Sequence, residues 1–198
     1  MLKVEQNKII KKQKLFDAAF DILLEQGVEK TTITQITRRA GLAKGTFYLY
    51  FADKNAIVQQ LVQLYADRLL GDAWLKLCPA EGEWDGISLM SGIAGEVIDA
   101  LARDKRLICF MRSNLSFALF SKITASPTGK EPTNILETIL ILLESGGIKM
   151  KQPRIALAMI IELIVGVCYQ AILYQDPLPI EEIKPYIFTA IEGIVACM

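Results

Sequence analysis

Lys44, Gly45 and Thr46, within the string GLAKGTFYLYF, set a long cation, a position without a side chain and a hydroxyl-bearing residue side by side. At the start of a helix this trio suits contact with a nucleic acid. The helix dipole favours phosphate there, and the lysine can reach a phosphate or a guanine edge. The glycine lets backbone approach closely, and the threonine offers a hydroxyl and a methyl to bases or phosphates. Phe47 and Phe51, four apart, point the other way as core. The chemistry that is missing narrows the field further. Histidine is absent, which removes the usual general base, the triad imidazole and the commonest zinc ligand. Cys78, Cys109, Cys168 and Cys197 include no close pair, so neither a zinc knuckle nor a redox dithiol is spelled and all four read as reduced core residues. No catalytic residue, metal or cofactor is expected, and the chain is read as a non-enzyme.

Charge supports a polyanion partner for the first quarter. Lys plus Arg and Asp plus Glu are both 22, but up to Asn55 there are 10 basic against 6 acidic residues, and the remainder is acidic by the same margin. A solvated lysine-rich helix face explains that charge equally well, so spacing must decide. The 198 residues, 52% hydrophobic and 22% charged, suffice for one compact unit with a small appended module and exclude a disordered or low-complexity chain. The basic N-terminus lacks an apolar run and a small-residue cleavage site, which predicts a cytoplasmic protein. Residues 155–174 are apolar enough to suggest a membrane span. Glu162, Gly166 and Gln170 interrupt them on one face, however, and Glu162 would cost roughly 2.5 to 3.5 kcal/mol in a bilayer, so a protein helix is expected and no membrane partner.

The elements that must hold these residues read as all-α. Phe16, Ala19, Phe20, Leu23 and Leu24 recur at helical spacing, marking a first helix ended by Gly27. Thr32 and Gln35 have capping-box spacing and Gly41 closes a two-turn helix whose inward face is Ile33, Ile36 and Ala40. KGTFYLYF supplies a third, short helix, and Asp53 caps a long fourth. Two short helices joined by a glycine-bearing turn spell helix-turn-helix. Beyond Leu75, turn signals delimit helices near 87–103, 105–123 (whole or broken near Asn114), 134–143, 153–174 and 180–197. Pro153 suits a first turn, and Pro185 starts the regular part of the last helix or kinks it.

With these residues in place, TTITQITRRAGLAKGTFYLYFADKNAI resembles the DNA-binding signature of the tetracycline-repressor (TetR) family of bacterial regulators. The resemblance covers about the first 60 residues and includes Gly27, Thr32, Ile36, Ala40, Gly41, Lys44, Gly45, Thr46, Tyr48, Phe51 and Lys54. It implies a helix-turn-helix domain over residues 1–54 and a larger helical ligand-binding and dimerisation domain over 55–198. It also implies DNA contacts at Thr32, Thr34, Arg38, Lys44, Gly45, Thr46, Tyr48, Leu49 and Lys54, with Tyr48 and Lys54 on phosphates. Two positions depart from the family. Ala43 replaces the usual serine cap of the recognition helix, a loss of about 1 kcal/mol, and Leu49 can touch a thymine methyl but cannot hydrogen-bond a base.

For the second domain the resemblance implies a homodimer and an effector pocket. Ala158, Glu162, Gly166 and Gln170 form a small and polar stripe that permits close helix approach, and Ile183, Ile187, Ile191 and Ile194 form an apolar ridge on the last helix. The candidate dimer residues are therefore Gly166, Gln170, Ile187, Ile191 and Ile194. Met90, Phe110, Met111, Asn114, Phe117, Glu162 and Tyr169 are candidate pocket residues for a small apolar or amphipathic effector, with Glu162 facing the pocket, the interface or an internal partner. The expected function is a repressor that binds a palindromic double-stranded operator and is released by that effector. A helical enzyme or small-molecule carrier would share the apolar core but would not need GLAKGTFYLYF, and a DNA-architectural protein would dispense with the large apolar domain.

Overall fold

A computed structural model describes residues 2–77, 85–123, 148 and 150–197, with side chains from residue 5 onward and none for 116–123. Every element among these residues is a helix. They run α1 (Leu2–Lys30), α2 (Ile33–Arg39), α3 (Lys44–Tyr48), α4 (Lys54–Leu77), α5 (Gly86–Arg103), α6 (Lys105–Ile123), α7 (Pro153–Tyr174) and α8 (Ile180–Cys197). The helix expected over 134–143 lies outside the described residues, as do Cys78 and the side chain of Phe117.

Local sequence explains most boundaries. Asp53 accepts a hydrogen bond from the Ala56 amide at 2.8 Å and opens α4. Asp85 accepts from the Ser88 amide and hydroxyl and opens α5; these bonds, the hydroxyl's first, hold its carboxyl below the usual range. Pro153 occupies the first turn of α7, where its missing N–H costs nothing. The regular part of α1 ends at Gly27, as expected: the backbone is non-helical there, with φ +76°, and Val28 to Lys30 form a further turn beyond the kink. Helix α6 runs through Asn114, because its side-chain amide donates to the Phe110 carbonyl one turn back at 2.7 Å and leaves the backbone ladder intact. Helix α8 spans Ile180–Cys197 with Pro185 inside it, near its first turns.

One continuous core links the first three helices to the rest of the chain. Leu15, Phe16, Ala19, Ile22 and Leu23 of α1 pack with Phe47, Phe51, Ile57 and Leu61, and the same cluster extends through Ile98, Ile108 and Phe110 to Cys168 and Ile191. Where α1, α4 and α6 meet, the rings of Phe20, Tyr65 and Phe110 lie with centroids 4.9 to 5.6 Å apart. Burial raises the Tyr65 phenol above its ordinary range. Arg106 lies over the Phe20 ring at 5.3 Å and pairs with Asp21. Helix α6 packs mainly on α7, α4 and α1, and α5 lies against α4 and α8.

Helix α7 is the one described helix long and apolar enough to cross a membrane, and a third of its most apolar stretch is buried by the chain itself. Ala156, Ile160, Ile164, Val165, Cys168 and Ala171 face inward. Ile155 and Met159 are exposed on the opposite side, in line with Gly166 and Gln170.

Candidate nucleic-acid interface

The capping box of α2 is complete. The Thr32 hydroxyl accepts from the Gln35 amide at 3.2 Å, and the Gln35 side chain accepts from the Thr32 amide at 2.8 Å. Gly41, at φ +67°, turns the chain, and the Leu42 amide bonds back to the Thr37 carbonyl at 2.9 Å. A residue with a Cβ would be strained at that φ. The turn sets α3 against α2. The amphipathic character of α3 then sets its outer face. Phe47 is fully buried, Phe51 packs beside it at 5.3 Å, and Phe16 of α1 closes the trio at 5.3 Å from Phe51.

The opposite side of α3 is open. Lys44 and Gly45 are exposed, Thr46 is half-buried at the rim, Tyr48 is 53% exposed and Leu49 is 77% exposed. A Cβ at Gly45 would meet nothing. Thr34 and Arg38 are exposed on α2. These residues lie on one short helix-turn-helix unit, with cations, a hydroxyl, a phenol and an apolar tip available to a duplex groove and its phosphates. Ala43 forms no side-chain cap to α3, as its side chain dictates.

Three basic or hydroxyl groups in the same unit are already engaged. Thr32 is exposed, but its hydroxyl serves the cap. Arg39, next to Arg38, makes a two-toothed ion pair with Glu25 at 2.6 and 2.9 Å, binding α2 to α1. This hydrogen bond holds the Glu25 carboxyl below its ordinary range. The Lys54 ammonium donates to the Val28 carbonyl at 2.6 Å, satisfying an acceptor at the Gly27 break. The role of Arg39 was not assigned from sequence, although Glu25 and Arg39 stand at complementary ends of two adjacent helices.

Elsewhere the candidate pocket residues divide. Met90, Phe110, Met111 and Asn114 are buried in the core, with Asn114 only 2% exposed. Its Oδ1 is buried without a hydrogen-bond donor among the described residues. Tyr169 is half-buried and turns toward Tyr174, with centroids 5.9 Å apart, and a hydrogen bond between the two phenols raises its pKa. Glu162 is half-buried.

The expected dimer ridge is corrected. Ile187 and Ile191 are 2% and 1% exposed within the chain's own core, joined there by Ile183, because the ridge packs inward on the neighbouring helices. Ile194 is half-buried on the same cluster. The open side of α8 instead carries Tyr186, Ala190 and Gly193. On α7, Gly166 and Gln170 do face outward, and a Cβ at Gly166 would meet nothing. Ile155, Met159 and Tyr186 are exposed apolar side chains that the sequence did not single out, since periodicity marks a face without saying which side packs inward. The cysteines also divide: Cys168 is buried, Cys109 half-buried and Cys197 exposed.

Residues 15–61 match the family described as bacterial regulatory proteins, tetR family. An uncharacterised HTH-type transcriptional regulator, YvdT of Bacillus subtilis (strain 168), is 32% identical over 80 residues, which is 40% of this chain and 41% of YvdT. The HTH-type transcriptional regulator BetI of Serratia proteamaculans (strain 568) is 30% identical over 109 residues, covering 54% of this chain and 55% of BetI. The chain thus spans about half the length, or less, of these curated relatives. In fold, the transcriptional regulator FadR from Bacillus subtilis, solved in complex with stearoyl-CoA, superposes with a TM-score of 0.61 at 19% identity, over 90% of this chain and 96% of FadR.

Proposed function

We propose that this chain, whose residues 15–61 match the bacterial regulatory proteins of the tetR family, is a cytoplasmic, ligand-responsive transcriptional repressor of that family rather than an enzyme. Residues 1–54 read a palindromic duplex operator, and residues 55–198 hold a second copy of the chain and a small apolar or amphipathic effector. The observation that carries the reading is the two-sided chemistry of α3. Phe47 is locked into the core while Lys44, Gly45, Thr46, Tyr48 and Leu49 stay open beside Thr34 and Arg38. Lys44, Arg38 and Tyr48 meet phosphates or base edges, and Thr46 and Leu49 supply the contacts that depend on sequence.

Support for the effector comes from Asn114. An acceptor buried without a donor is costly, at about 1 to 3 kcal/mol, and a molecule bearing a hydroxyl, amide or ammonium beside Met90, Phe110 and Met111 would satisfy it while filling apolar space. An acyl chain with a polar head, the class of molecule found in FadR, is one such effector. Support for the homodimer comes from the outward line of Ile155, Met159 and Gly166 on α7 beside Tyr186 and Gly193 on α8.

Selection of bound duplexes from a random pool tests the reading. The expected outcome is enrichment of two inverted half-sites whose centres lie about 34 to 36 Å apart, or a small multiple of that. A pool that emerges without sequence preference overturns it.

A further inference from the structure

Helix α1 begins at Leu2, whereas the family match begins at residue 15. The additional turns extend the helix by about 20 Å at 1.5 Å per residue. Their chemistry continues a stripe already defined. The buried face of α1 consists of Leu15, Phe16, Ala19, Ile22 and Leu23. Followed toward the N-terminus at helical spacing, the same face carries Lys12, Lys11 and Lys8. The stripe changes from apolar to cationic where the helix leaves the core.

The direction of that face is fixed by Lys12. Its ammonium lies 5.3 Å from the centre of the Phe16 ring and 5.8 Å from that of Phe51. Phe51 stands three residues after Tyr48, so the lysine face runs beside the C-terminal end of α3. Lys8 and Lys11 are exposed, and Lys8 stands about 12 Å beyond Phe16 along the axis. Among the described residues no ion pair engages any of the three.

We propose that Lys8, Lys11 and Lys12 form a phosphate-gripping ridge that holds the duplex backbone flanking the half-site read by α3. The inference rests on the reading of α3 as the DNA-reading element and extends the interface beyond it. A duplex flank presents a regular row of negative charges, and flexible lysine stems meet it as point charges. Such contacts add affinity and position the protein without adding sequence information.

The test compares the full chain with a Lys8→Gln, Lys11→Gln, Lys12→Gln variant on the selected site, carried either in a duplex extended by ten base pairs on each side or in one trimmed to the site. A double variant that keeps Lys12 on its rings guards against disturbance of the head. On the extended duplex the slope of log affinity against log salt is expected to fall by about 0.9 for each lysine that meets a phosphate. Each lost contact then removes about 3.5-fold of the affinity change between 50 and 200 mM salt. The ratio of affinities for site and random duplex stays unchanged, and the trimmed duplex abolishes the difference between variant and parent.

Equal slopes for parent and variants on the extended duplex, with the site still preferred, overturn the ridge alone. A parent that prefers no sequence overturns the reading of α3, and the slope on random duplex still decides the ridge. Lysine-dependent binding to phosphatidylserine vesicles with an unchanged slope on DNA would overturn the ridge as a DNA contact and assign it to an anionic membrane surface.

Discussion

Lys54 has two claims on one ammonium. The family resemblance assigns it to phosphate, and the fold gives it to the Val28 carbonyl at 2.6 Å. The two are compatible, because an ammonium carries three donors and the carbonyl uses one. Lys54 therefore ties the interrupted end of α1 to the start of α4 while its remaining donors are free to meet DNA. Lys54→Ala is expected to cost about 1.5 to 3 kcal/mol of stability in urea unfolding, the range for a hydrogen bond to a charged group, as well as weakening binding to every duplex. Unchanged stability would reduce the carbonyl contact to a surface coincidence. Cys168 offers a second check at this scale. Burial pushes its thiol up to about 12, so almost no thiolate forms at pH 8. An alkylating reagent there is expected to modify Cys197 quickly and to spare Cys168 until the chain unfolds, as followed by peptide mass spectrometry. Fast native modification of Cys168 would contradict its packing. The sequence marked Phe47 and Phe51 as core and Lys44, Gly45, Thr46 and Tyr48 as surface, because the two sets fall on different faces of one short helix. It could not mark Arg39 as bound and Arg38 as open, since that depends on where Glu25 comes to lie.

At the scale of elements, the helix-turn-helix was legible because its signals are local. Thr32 and Gln35 interact across three residues, and Gly41 satisfies its φ without help from distant packing. Thr32→Ala removes half of the capping box and is expected to cost about 1 kcal/mol. Ala43→Ser supplies the cap that α3 lacks and is expected to stabilise the chain by about 0.5 to 1 kcal/mol. Paired urea midpoints measure both, and a destabilised Ala43→Ser variant would mean that the serine cannot reach the amides of α3. The bounds of α7 and α8 were also legible, from Pro153 and from the turn residues between Tyr174 and Ile180. The direction of α8 was not. Its ridge of Ile183, Ile187 and Ile191 could serve a core or a partner with the same spacing, and the core claimed it. Gly27, by contrast, was legible for a local reason: glycine at positive φ ends the regular helix, and the Thr31 hydroxyl, donating to the Gly27 carbonyl at 2.6 Å, closes the short turn that follows.

For the whole molecule, two questions reduce to which surfaces are finished by something other than the chain itself. Gly166 tests the first. A Cβ there would meet nothing within the subunit, and leucine is the better helix former by nearly 1 kcal/mol. Gly166→Leu should therefore fold at least as well as the parent, so a shift from dimer to monomer in light scattering would report the loss of a second copy packed on α7. An unchanged mass would place that copy elsewhere. The second question is how an effector inside the helical core could be felt at α3. Helix α4 starts beside the DNA-reading unit and ends against α5, and α6 touches α1 directly through Phe110 on Phe20 and Arg106 on Asp21. On the proposed reading, a molecule wedged beside Asn114 would displace the helix that carries Phe110, and Phe20 and Tyr65 would pass that movement to α1 and α4 together. Because α1 packs on both α4 and α2, and α2 holds α3, the two DNA-reading units of the proposed dimer would change their separation rather than their shape. A hundredfold fall in DNA affinity needs about 2.7 kcal/mol of effector preference for the released spacing. Burial of a few methylenes, at about 0.8 kcal/mol each, can supply it if their fit differs between the two spacings. Linkage then fixes the measurement, since operator duplex must weaken effector binding by the same hundredfold. Titration of a fluorescent hydrophobic probe with and without operator is expected to show that shift, and Phe110→Leu, which keeps the site apolar but loosens the three-ring contact, should shrink it. Saturable binding with one affinity in both conditions would separate the pocket from DNA binding altogether.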